Sequence, residues 1–179
     1  MHQSESGRPV RINESDKQFA IHLGVSNDLL GRFKNDANLH GRMVLELDIS
    51  GLSDRLALTE YLAEEFMYPY RAVGLDAAID LISDLEWFGN PHGYLVAVTG
   101  ATDSSLVTAD FASLLPAIVD RWRTQDIPFV IAIEEKGVQL QAALRDANDE
   151  IEKAGRLQWA QPGTGPVDVI IHATEHNLN

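Results

Sequence analysis

Cysteine is absent from all 179 residues, which removes disulfides, thiol nucleophiles and thiolate metal sites together. No apolar run approaches the ~20 residues that a membrane span requires. The first residues, MHQSESGRPVRINESDK, lack the apolar stretch of a secretory signal. A cytoplasmic protein with no membrane partner is the expectation. Lysine is missing from residues 42–135, where five arginines stand against sixteen Asp and Glu, a net charge of −11. The remaining residues supply only −2 of the total −13. A module this acidic repels phosphate backbones and anionic lipid, which argues against nucleic acid as a partner. It attracts a basic protein and raises the rate of encounter with one.

Catalytic signatures are also scarce. No G-x-S-x-G, Walker A or G-x-G-x-x-G pattern occurs, so nucleophile elbows and phosphate-cradling loops of those kinds are not expected. His172, Glu175 and His176 spell H-x-x-E-H, but an inverted zinc site needs that motif on a helix with a third ligand well downstream. Here the motif follows a predicted strand and only three residues come after it. Asp146, Asn148, Asp149 and Glu150 resemble a calcium loop only superficially, because the loop glycine is missing and the segment reads as helix. His22, His40 and His92 fall in separate segments without an adjacent acid or nucleophile. The expectation is no enzyme, no metal and no cofactor.

What is present is an ordinary core: 45% of the chain is apolar. Residues 1–18 read as a polar tail, Phe19–Val25 as a short strand, and Asn27–Phe33 as a helical turn capped by Ser26 or Asn27. Lys34–Gly41 reads as a linker. Met43–Ile49 alternates apolar and acidic residues, a strand signature. A helix capped by Ser53 or Asp54 is expected to run to about Phe66, burying Leu56, Tyr61, Leu62 and Phe66. Tyr68-Pro69-Tyr70 is a loop, since Pro69 disfavours helix at the preceding residue. Leu75 opens a further helix, expected to end near Trp87 and Phe88 before a Gly89–Pro91 turn. Gly93–Val98 and Phe129–Ile133 are continuously apolar, as strands buried on both faces are. Between them Leu114–Gln125 reads as a helix capped by Ser113, with Pro116 in its first turn. Val138 to about Ala154 is a last helix, Leu157–Ala160 a short strand and Pro166–His172 a final one. The order predicts an α/β fold with a small parallel β-sheet and helical crossovers. It divides into an N-terminal extension (1–41), a central α/β domain (42–135) and a C-terminal helix-strand extension (136–179).

The most informative stretch is Leu75–Leu85, LDAAIDLISDL. Leu75, Ala78, Ile79, Ile82 and Leu85 form one apolar stripe at helical period. Asp76, Asp80 and Asp84 recur at i+4 beside it. Like charges at that spacing destabilise a helix by roughly 0.2–0.5 kcal/mol per pair. No Lys or Arg lies between Ala72 and Val119 to offset this. Two readings stay open: a solvated face on an acidic protein, or a surface kept acidic for a basic partner.

The core of this stretch, LDAAIDLI (Leu75–Ile82), resembles the L-D-A-L-x-D-x-L of the binding helix in the barstar family of intracellular ribonuclease inhibitors. Tyr70, six residues before Asp76, stands where that family keeps a binding-loop tyrosine, and the element order agrees over about residues 42–135. The resemblance implies a protein inhibitor of a basic ribonuclease or nuclease toxin. By it, Asp80 matches the acid inserted into the nuclease's phosphate-binding site, and Asp76 matches a second interface acid. Tyr70 matches the loop aromatic, and Asp120 a supporting acid. Ile79 replaces a large aromatic between the two acids, and Asp84 extends the acid line. Arg71-Ala72-Val73-Gly74 departs from the family's glycine- and asparagine-bearing loop. Arg71 has the wrong sign for a basic partner unless it folds back onto Glu64, Glu65 or Asp76. The extensions imply an added strand, self-association or a wider interface. A non-inhibitory interaction module is the alternative reading.

Overall fold

The computed structural model describes residues 18–89, 92–155 and 165–173. Five apolar segments form a single parallel sheet: β1 (Phe19–Leu23), β2 (Met43–Asp48), β3 (Tyr94–Thr99), β4 (Phe129–Ile133) and β5 (Asp168–Ile171). Their order is β2-β3-β4-β1-β5, so the expected α/β class and parallel sheet are what the chain adopts. Helices α1 (Asn27–Leu39), α2 (Arg55–Glu65), α3 (Leu75–Ile82), α4 (Leu106–Thr124) and α5 (Val138–Gly155) make the crossovers. The chain steps from β1 outward to β2, returns through β3 and β4, then passes over β1 to β5. Right-handed crossovers running in opposite directions place helices on opposite faces. Accordingly α1 covers one face through Leu29, Phe33 and Ala37 against Leu95, Val130 and Ala132. The main core lies on the other face, where α2, α3, α4 and α5 bury Leu58, Ile82, Ile118 and Leu144 with Val96 and Ile131.

Both flanking segments are strands of this one sheet. β1 lies beside β4, from Phe19 opposite Phe129 to Leu23 opposite Ile133. β5 then pairs with the other side of β1. β3 and β4 are buried along most of their length, which explains why their sequences carry no polar alternation.

Four local expectations need correction. The segment Lys34–Leu39 is helix, not linker, because Leu29, Phe33 and Ala37 repeat at i+4 and all are buried. In α2 the buried residues are Leu58, Thr59 and Leu62, while Leu56 is 54% exposed. Helix α4 begins eight residues before the expected start, capped by the Ser105 side chain accepting from the Thr108 N–H. Pro116 is therefore a buried interior residue of α4. Finally, α3 stops at Ile82 and does not continue to Phe88. Asn90-Pro91 and the Leu157–Ala160 strand lie outside the described residues.

Candidate functional site

Helix α3 is short, only eight residues, and its ends are fixed by neighbours. Gly74 precedes it at φ 103° without a side-chain cap, a conformation that favours glycine. At the other end the Trp122 indole N–H donates to the Ile82 carbonyl at 2.9 Å. The Gln125 amide donates to the Ser83 carbonyl at 3.1 Å. These bonds satisfy carbonyls that a helix C-terminus leaves open. Leu85 then turns left-handed, φ 46°, and buries its side chain to 1% exposure. The hydrophobic gain outweighs the modest backbone cost of that conformation, and the helix ends.

This termination separates the three carboxylates. Asp76 and Asp80 are exposed and one turn apart on α3. Asp84 is exposed but lies beyond the helix end, so the expected three-acid line on one helix is a two-acid line. Asp76 sits in the first turn, where the helix dipole favours a carboxylate. Asp80 has a partner that sequence spacing missed: the Arg121 guanidinium donates to its Oδ1 at 2.6 Å. Arg121 is on α4, 41 residues away. Only the tertiary approach of α3 to α4 brings the two together. Both side chains are about half exposed or more, so the pair contributes about 0–1 kcal/mol.

The loop before α3 supplies an apolar rim. Tyr70 is 63% exposed and Val73 58% exposed. Arg71 is exposed as well. It does not fold back: the arginines paired to carboxylates among the described residues are Arg42, Arg55, Arg121 and Arg123. Ile79, between the acids, is half-buried and packs on the main core. Tyr68 lies beneath this loop with its ring edge-on to Trp87. Its buried hydroxyl has no hydrogen-bond partner among the described residues. Burial pushes that hydroxyl up to about 12.

Asp120 is not part of this exposed group. It is buried, its carboxylate held by Arg123, whose guanidinium also donates to the Gly165 and Pro166 carbonyls. The position matching a supporting interface acid thus anchors the approach to β5. Among the described residues no cluster of His, Asp and Glu could hold a metal ion. His172 Nε2 lies 2.9 Å from Nδ1 of buried His22, and Glu175 and His176 lie outside the described residues.

The arrangement is an exposed acid pair beside an exposed, partly apolar loop, mounted on a parallel α/β frame. Residues 42–134 match the family described as barstar (barnase inhibitor). That is just over half of the chain, and the protein belongs to the barstar family. Comparison with curated proteins and with solved structures returns no match. The family is one of ribonuclease inhibitors.

Proposed function

We propose that this protein inhibits a basic ribonuclease or nuclease toxin in the cytoplasm, as an immunity-type protein, through α3 and the loop before it. The observation that carries this reading is the exposed Asp76–Asp80 pair beside Tyr70 and Val73, on a family-matched segment of net charge −10. A ribonuclease site binds phosphate and is therefore basic. Carboxylates one turn apart stand in for substrate phosphates there, while Tyr70 and Val73 contribute the apolar contact that excludes water. Charge steering toward such a site, for which barnase and barstar are themselves a standard worked pair, accelerates association at low salt.

Calorimetric titration of the full chain with barnase, at low and moderate salt, tests this. Tight, salt-sensitive binding is expected. Hydrogen bonds to charged groups contribute about 1.5–3 kcal/mol each, so Asp76→Ala with Asp80→Ala lowers affinity by about 100-fold or more. Unchanged affinity and salt dependence in that double variant would remove the reading.

The Asp80–Arg121 pair and the exposed Arg71 favour a second reading, a non-inhibitory interaction module that binds through the flanking elements. Under it the Asp76/Asp80 variant is silent, whereas charge reversal at Asp146 and Glu150 on α5 abolishes binding. Deleting 136–179 does not discriminate between the readings, because Leu140, Leu144 and Val167 are buried in the main core.

A further inference from the structure

Helix α5 lies outside the family match, and with α3 and α4 it walls a trough of about 590 Å³. The floor is apolar: Ile79 of α3, Ala117 of α4, and Ala147 and Ile151 of α5. The ionisable side chains lining it are Asp146 and Glu150, both acidic, with Lys153 paired to Glu150 at the exposed end. Ile79 also lies between Asp76 and Asp80 in the sequence, so the trough reaches the helix that carries the acid pair.

We propose that this trough is a docking groove for a basic amphipathic helix of the partner protein. The inference rests on the reading that α3 faces a basic protein, and it extends that surface onto α5. Three features select this occupant. Small side chains on α4 and α5 let a third helix approach at ordinary packing distance. From Ala143 to Ala154 the α5 wall is about 16 Å long, matching about three turns of a docked helix. The rim carboxylates complement Lys or Arg flanking an aliphatic i, i+3, i+4 stripe. They repel a second copy of this chain offering the same acidic rim.

The test uses the full chain and a fluorescent synthetic helix of about 14 residues, with leucine at i, i+3, i+4 and i+7 and lysine elsewhere, in about 0.15 M salt. Saturable binding is expected, with Ala147→Trp weakening it by about tenfold or more by filling the floor. Asp146→Lys with Glu150→Lys does the same from the exposed rim, in case the tryptophan perturbs folding. A peptide of equal composition with its leucines scrambled binds about tenfold more weakly. Equal binding of the scrambled peptide, indifference to both groove variants, or no saturation by about 1 mM overturns the proposal. So does a dimer in sedimentation that Ala147→Trp dissolves, since the groove is then a contact between copies. The α3 reading is tested separately by the Asp76/Asp80 variant against barnase, so either can fail alone.

Discussion

Residues 42–134 and the segments that flank them do different work in the same sheet. The family-matched part carries β2, β3 and β4, the acid pair and most of the negative charge. The flanks, near electroneutral, carry β1 and β5, which cover what would otherwise be the open edge of β4. An uncovered apolar edge such as FVIAI is a template for pairing with other chains. The flanks therefore act first as frame, and the matched segment as display. The boundary visible in charge and family resemblance is not a boundary in packing.

The comparison breaks most severely at Leu144, fully buried on α5. Leu144→Ala is expected to lower unfolding free energy by about 2–5 kcal/mol in one cooperative transition. A denaturation curve in which residues 42–134 kept their own midpoint would make the flank a mere appendage. The reverse experiment is Asp76→Ala with Asp80→Ala, which should cost affinity while leaving stability within about 0.5 kcal/mol of the parent. Trp122→Phe lies between these, because it keeps most of the buried ring and loses the bond to the Ile82 carbonyl. It should destabilise by about 1–3 kcal/mol, with hydrogen exchange rising first at the end of α3.

A smaller effect appears only in alkali. The Tyr68 hydroxyl has its folded value raised by burial from 10.0 to about 12, so the fold favours the neutral form. That contribution is fully present below pH 10 and is lost as pH climbs from 10 toward 12. Tyr68→Phe should abolish this loss, the two stability–pH curves separating only above about pH 10. The smallest effect is expected at Arg121→Ala, which frees Asp80. Stability should change by less than about 1 kcal/mol, while affinity for a basic nuclease rises a few-fold in the same titration.

The strands and the acid pair were legible in the sequence because their signals are local. GYLVAV, FVIAI and the LDAAIDLI stripe need no knowledge of distant residues. The misread elements are those decided by neighbours. The sequence placed the cap of α4 at Ser113, and the buried Val107 and Phe111 draw the helix back to Ser105. The end of α3 depends on Trp122, Gln125 and the left-handed turn at Leu85, none of which a period of 3.6 reveals. Leu56 and Leu58 differ only in which one meets the sheet. Asp80 looked unopposed because its counter-ion arrives from another helix, and spacing gave no sign that Arg123 ties the buried Asp120 to residues 165–166.

The position of β1 also has a consequence for the order in which the protein is made. FAIHL leaves the ribosome about a hundred residues ahead of its nearest partner in the chain, β4. At ordinary synthesis rates that is a wait of about 5–20 s. During it β1 has no strand to join, and β5 has no place in the sheet until β1 is seated. The nascent chain can assemble β2, β3 and β4 around the acidic helix first, then recruit β1 and add β5 last.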